Sequence, residues 1–299
     1  MSNFFNSESH ELLALLLSSL RVSTPLIFAA MAGFFSERSG IVNIALEGKI
    51  LIGSLTGVLA ASYFHSPWMG LMGAAVVGLV IGAAYALMTI ILKADHIVSG
   101  VALNLFAAGI TPLACNYFYG ASGSSASLAS EDRFLSAPVY LALVIPFLID
   151  FWSRFTPSGL WHRVAGEEPK ALKGAGISVL KLQFTSLMIS GALASMGGAV
   201  LSTFLSSSFS RNMSAGRGFI ALAALILGRW KPLPTFFACL FFGLSEALQI
   251  RLQGLSFSDG STLPVQWIFI LPYAITLIVL AGFLGRSRAP KALGRIQSE

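Results

Sequence analysis

Hydrophobic runs long enough to cross a bilayer recur along the whole chain, and that recurrence limits its fold more than any other feature. Runs near 12–35, 41–62, 67–92, 97–119, 136–153, 182–205, 217–229, 232–252 and 265–284 are mostly apolar. A helix rising about 1.5 Å per residue needs about 20 such residues to span the hydrocarbon. The seventh run is too short for a comfortable crossing. It reads as a half-helix that dips into the membrane, or as one extended outward through Met213. Only 11% of the 299 residues are charged, 55% are hydrophobic, and the mean hydropathy is +0.78. Surface-to-volume scaling gives a soluble fold of this length nowhere to hide so much apolar surface. The expected fold class is an all-α polytopic membrane protein with about 8–10 transmembrane helices, forming one domain over residues 1–299.

The net charge of +6 is concentrated in two places, Arg154 to Lys181 and Arg286 to Arg295. That clustering is the positive-inside pattern, so both segments are expected in the cytoplasm. It does not suggest nucleic-acid binding. The small, nearly uncharged link GASGSSASLAS (Gly120 to Ser130) and the turn His65 to Pro67 are expected outside. Counting spans backward then leaves the N-terminus outside. The opening MSNFFNSESH lacks a basic start and a cleavage site, so it reads as retained. Cys115 and Cys239 lie in apolar stretches, and His10, His65, His96 and His162 are scattered. No disulfide framework, metal site or cofactor is expected. No phosphate-cradling G-x-x-x-x-G-K-[ST] loop is present, and no catalytic constellation can be argued, so the chain does not read as an enzyme. If ATP drives transport, the ATPase is another chain.

Polar groups inside the apolar runs are the candidate functional residues, because an ionisable group in lipid must face a bundle interior or a cavity. Ser36 to Lys49 reads SERSGIVNIALEGK, between two apolar runs too close for a large loop. Asn43 and Glu47, four apart, are expected on one helix face, with a helix break at Ser39-Gly40. Two readings stand here: a broken helix beside the solute pathway, or Glu47 paired with Lys49 or Arg38 as a lock. Asn104 and Asn116 occupy the fourth run, and Glu246 and Gln249 the eighth. Amides can also be packing glue between helices. Glu246 stands out as a mid-span carboxyl, either in the pathway or held protonated or paired. Arg21 is expected to snorkel or face a partner subunit. The Gly53/Gly57 and Gly78/Gly82 pairs have the four-residue spacing that lets helix backbones approach closely. A short echo links Gly40 to Leu46 with Gly218 to Ala224; both follow a basic and a small residue and open an apolar helix, as in inverted-repeat transporters.

The long basic connection contains WHRVAGEEPKALKGAGI, Trp161 to Ile177. Pro169 can start a helical turn, Glu167 and Glu168 suit its positive end, and Gly174 and Gly176 can end it. The spacing predicts a short amphipathic helix on the cytoplasmic face. It is either a docking knob for a soluble partner or a linker resting on lipid headgroups.

FSERSGIVNIALEGKILIG (Phe35 to Gly53), VAGEEPKALKGAGI (Val164 to Ile177), GRGFIALAALILGRWKPL (Gly216 to Leu233) and FGLSEALQIRLQ (Phe242 to Gln253) together resemble permease subunits of ABC importers. The relevant branch handles simple sugars, nucleosides and branched-chain amino acids, and the nucleoside type is most similar. The resemblance runs from about Thr24 to about Gly285. It implies a type II-like importer fold with broken or half helices, in the bacterial plasma membrane. It also implies a second, related permease subunit, cytoplasmic ABC ATPase subunits and an extracytoplasmic substrate-binding protein. Gly166, Glu167, Pro169, Ala171 and Gly176 match the family's coupling positions. Glu168 stands where Asn is more usual, and Lys49 where apolar residues are common. The implied function is alternating-access import of a nucleoside or simple sugar. Asn43, Glu47, Asn104 and Glu246 are candidates for lining the cavity, and Phe106 and Phe219 for an aromatic wall against a base. The rivals are an ion-coupled secondary transporter with Glu47 and Glu246 as carriers, a permease for branched-chain amino acids, and a membrane scaffold.

Overall fold

The computed structural model describes residues 2–121, 123–253 and 288–294, with side chains from Leu13 onward. Ten α-helices are present among these residues: α1 (Ser2–Arg38), α2 (Leu46–Phe64), α3 (Pro67–Ala86), α4 (His96–Tyr119), α5 (Ala137–Phe155), α6 (Pro157–Glu167), α7 (Pro169–Gly174), α8 (Val179–Val200), α9 (Arg217–Leu227) and α10 (Pro232–Leu252). Short π-helical turns, Leu87–Ile91 and Leu201–Leu205, continue α3 and α8. Six of the helical segments are long and apolar enough to cross a membrane. The α2 helix adds 19 residues carrying Glu47 and Lys49 near its start. The run expected at 265–284 lies outside the described residues.

Small residues set the core, because lipid tails give helices no hydrophobic reason to associate and close backbone contact must supply the attraction. The α8 helix packs along α1, α2 and α3. A Cβ on Gly53 would overlap the Ser195 backbone, and one on Gly57 would lie 2.6 Å from the Ala199 side chain. On α3, a Cβ at Gly78 would overlap the Gly191 carbonyl, and one at Gly82 the Leu187 carbonyl. Both four-residue glycine pairs therefore face one helix, α8. Hydroxyls cross the same seams: Ser195 donates to the Lys49 carbonyl at 3.1 Å and Ser202 to the Ser54 carbonyl at 2.7 Å.

Two ends are distinct. At one, the chain after α4 lies against the chain after α8 through an antiparallel bridge between Ser124 and Ser210, around the buried Phe209. The turn at His65 sits at this end too, 3.6 Å from Asp132. At the other end are the C-termini of α1 and α5, the helices α6 and α7, and the start of α10. Residues 288–294 also lie there. The Ala292 N–H donates to the Gly166 carbonyl at 2.9 Å and the Gly294 N–H to the Gly40 carbonyl at 3.1 Å.

The chain breaks at Ser39-Gly40, with Gly40 at a φ of +102°. Residues 39–45 are not helical, so Asn43 and Glu47 do not share a helix face. Glycine in a left-handed conformation ends α1, and the Asn43 amide bonds to neighbouring side chains instead of continuing a helix. The short seventh run is a half-helix: α9 begins at Arg217 and does not extend through Met213. Arg21 is exposed and has a partner within the chain. It donates to the Phe204 carbonyl at 3.0 Å, in the π-turn after α8, and lies over the Phe204 ring.

Candidate functional site

The half-helix α9 has 11 residues, about 16 Å of rise, roughly half of a hydrocarbon core of about 30 Å, so a helix of this length that dips into the membrane ends inside it. Its orphan N–H groups and positive dipole end need a partner at that depth. Glu47 provides one. Its carboxylate accepts from the Gly216 N–H at 2.8 Å and the Gly218 N–H at 2.7 Å. Gly216 adopts a φ of +83° there, and a Cβ on Gly218 would lie 2.5 Å from the Glu47 nitrogen, so both positions need glycine. Glu47 thus pairs with neither Lys49 nor Arg38. The contact joins Glu47, the residue after the first segment of the sequence echo, to Gly218, which opens the second.

Beside it, Arg217 forms an ion pair with Glu246 of α10 and donates to the Met213 carbonyl at 3.3 Å. Glu246 is therefore a paired carboxylate. Two buried polar atoms at the same turn, Arg217 Nε and Ser214 Oγ, have no hydrogen-bond partner among the described residues. Buried donors of that kind are places where a water or a polar solute would be held. Sequence reasoning named Glu47 and Glu246 but not Arg217 or Ser214. The signal was Arg217 at the head of an apolar run, where a lone cation demands a carboxylate.

The other candidates take different places. Asn43 is fully buried, donates 3.0 Å bonds to the Ser36 and Ser190 hydroxyls, and accepts from Lys49 Nζ at 3.0 Å. The Lys49 ammonium also lies over the Tyr85 ring, 4.5 Å from its centroid. These groups form a closed knot behind the α2 N-terminus. Asn104 stitches α4 to that N-terminus, accepting from the Gly48 N–H at 2.8 Å and donating to the Ile44 carbonyl at 3.0 Å. Phe219, 49% exposed, stands on the first turn of α9 beside the Glu47 contact. Phe106 is 63% exposed and, two residues from Asn104, points to the other side of α4.

The coupling positions form a second assembly. Pro169 opens α7 and Gly176, at φ +77°, follows its end, as the spacing predicts. The connection before it is also helical, α6, which the loop reading did not anticipate. Gly166 has no room for a side chain: a Cβ would overlap the Arg38 carbonyl. Glu167 pairs with Arg38 at 2.9 Å. Ala171 and Lys170 are exposed, whereas Leu172 is buried against Ala165 and Val179. The α7 helix is thus a knob with an open outer face, bolted to the break between α1 and α2.

His162 is another bolt. It is buried among Phe34, Phe35 and Trp152, and its Nε2–H reaches the Phe35 carbonyl at 2.9 Å. Burial, with a smaller contribution from nearby Arg38, outweighs the Phe35 bond and lowers its pKa to about 4. The unfolded chain then takes up a proton near pH 6.5 that the native state refuses until about 4. Stability is full above about 6.5 and falls as the pH drops toward 4, by about 3 kcal/mol at 1.36 kcal/mol per unit. Thermal unfolding in detergent at pH 7 and pH 5 should show about 2 kcal/mol of this loss, and His162→Gln should flatten it.

The family model described as "Branched-chain amino acid transport system / permease component" matches residues 15–280. The chain belongs to this permease family. Two relatives are similar over nearly their whole lengths. The guanosine ABC transporter permease protein NupQ of Bacillus subtilis is 35% identical, covering 93% of this chain and 94% of NupQ. The nucleoside ABC transporter permease protein NupC of Lactococcus lactis is 36% identical, covering 91% and 92%. The guanosine ABC transporter permease protein NupP of Bacillus subtilis is 27% identical, covering 89% of this chain and 80% of NupP. The chain is therefore an ABC transporter permease, a multi-pass protein of the bacterial plasma membrane, and the transport family it belongs to is not one of enzymes.

Proposed function

We propose that this permease imports a nucleoside by alternating access, as one of two related permease subunits driven by separate ABC ATPase chains and supplied by an external binding protein. The observation that carries the reading is the bolted coupling knob. Its exposed face, Lys170, Ala171 and Lys173, offers a docking surface, and its buried face connects through Gly166 and the Arg38–Glu167 pair to the break that starts α2. Glu47, on the first turn of α2, holds the first turn of α9. A push on α7 therefore reaches the cluster at the start of α9 through rigid elements. In this reading α6 and α7 lie on the cytoplasmic side, where their basic residues belong.

The substrate class rests on the relatives. NupQ and NupC are named for guanosine and nucleosides, and the cluster offers what a nucleoside needs: carboxylates and orphan donors for ribose hydroxyls, and Phe219 for the base. Glu47, Arg217 and Glu246 line the pathway, and Asn43 and Asn104 hold the α2 start in place. Phe106, exposed on the other side of α4 from Asn104, is left out of the proposed wall. The heterodimer reading has its own support. Two permease proteins of one organism carry the guanosine name, and this chain resembles NupQ at 35% but NupP at only 27%. It fits one slot of a pair.

Proteoliposomes holding the two permeases and the ATPase, with binding protein added, should take up labelled guanosine when ATP is inside, and unlabelled nucleosides should compete better than pentoses or leucine. Replacing 168–176 by a flexible Gly-Ser tether should cut uptake at least about tenfold, a change of about 1.4 kcal/mol, while the permeases remain folded. Uptake that survives the tether would remove the coupling role. Competition by leucine alone would move the chain to amino acids.

A further inference from the structure

A cleft of about 310 Å³ opens at the α6–α7 end, lined by the last turns of α1 and α5, by α6 and by the turn between α9 and α10. Four cations line it, Arg38, Arg154, Arg163 and Lys231, against one carboxylate, Asp150. Two of the cations are already neutralised: Arg154 by Asp150 and Arg38 by Glu167, each at 2.9 Å. Arg163 and Lys231 make no side-chain hydrogen bond or ion pair among the described residues, and the buried Nε of Arg163 has no acceptor. The cleft thus presents two uncompensated charges at the level where the membrane helices end.

Its surroundings indicate the source of an anion. The outer stripe of α5 starts at the level of the cleft with Phe155, 72% exposed, and runs back along the helix, away from the cleft, through Phe151 and Leu148, each 61% exposed. Phe237 of α10 is likewise exposed beside the Phe236–Phe147 ring contact that joins these two helices. An aromatic wall running from a cationic notch toward the hydrocarbon suits a molecule with a phosphate at one end and acyl chains at the other. Basic pockets between membrane helices on the cytoplasmic face take acidic headgroups in this way.

We propose that this cleft is a binding site for the phosphate of an anionic phospholipid, with Arg163 and Lys231 as its ligands and the acyl chains along Phe151 and Leu148. A headgroup there bridges α6, which carries the coupling knob, to the α9–α10 turn, which Trp230 already ties to Glu37 of α1 through a 2.6 Å hydrogen bond. The lipid becomes a brace across the elements that move with the knob.

The full chain, purified in mild detergent, is mixed with phosphatidylglycerol or phosphatidylcholine and examined by native mass spectrometry and thermal unfolding. A retained phosphatidylglycerol and an upward shift in unfolding temperature are expected, with no shift from phosphatidylcholine. Lys231→Gln, at an exposed side chain that leaves folding untouched, should reduce retention at least fivefold, and Arg163→Gln with Lys231→Gln should abolish it. Equal retention by Lys231→Gln and wild type overturns the proposal. So does equal stabilisation by millimolar inorganic phosphate, which would make the site one for a free anion.

Discussion

Replacing Gly191 by leucine should leave almost no folded permease. The α3 and α8 backbones touch at this point: a Cβ on Gly191 would overlap the Gly78 carbonyl oxygen and lie 2.9 Å from Gly82. Backbone cannot swing aside as a long side chain can, so the helices must separate. Separation strips the close contacts of the Gly78/Gly82 pair along the whole α3–α8 seam, so the cost should reach at least the upper end of the about 1–3 kcal/mol of overpacking in soluble cores. Fluorescence-detected size-exclusion of detergent extracts should show the monodisperse peak replaced by void-volume aggregate. Gly109→Leu is the control. Gly109 lies on α4 with nothing within 4 Å of a Cβ, and leucine there gains about 0.8 kcal/mol of helix propensity. A normal peak for Gly191→Leu would mean that α3 and α8 do not meet through backbone.

The second large effect belongs to Glu47. Its loss strands the Gly216 and Gly218 N–H groups at the start of the half-helix. Each bond to a charged acceptor contributes about 1.5–3 kcal/mol, so Glu47→Ala should cost about 3 kcal/mol or more and let the first turn of α9 fray. Nucleoside uptake should fall at least about tenfold. Glu47→Gln keeps one carbonyl oxygen for one of the two N–H groups and should retain intermediate uptake. That ordering separates a positioning carboxylate from an ion carrier, for which glutamine and alanine would be equally dead. Uptake measured with and without an uncoupler in both variants supplies the check.

Much of this architecture was legible in the sequence because membrane helices announce themselves by length. The runs expected at 67–92, 97–119, 136–153 and 232–252 match α3 with its π-turn, α4, α5 and α10 to within a few residues. The half-helix and the Gly40 break were legible too, one from a run too short to span and the other from a polar interruption. The pairings were not. That Glu47 belongs to Gly216, or Glu37 to Trp230, depends on contacts across 169 and 193 residues, and no local period encodes them. The helix-face reading of Asn43 and Glu47 failed for a related reason. Four-residue spacing implies a shared face only where the backbone is helical, and Gly40 had already ended the helix. Arg217 is not legible by itself, because its partner Glu246 lies 29 residues on; a half-buried carboxylate and a half-buried guanidinium in neighbouring apolar runs point to each other.

The bonds from Ala292 to Gly166 and from Gly294 to Gly40 carry a consequence for biosynthesis. Residues 288–294 leave the ribosome after every other described part of the chain, so the junction of α1, α6 and α7 waits, open, until almost all of the protein has been inserted. Completing it is a closing step, and a nascent permease stalled short of residue 288 would hold its coupling knob by the Arg38–Glu167 and His162–Phe35 contacts without those two bonds.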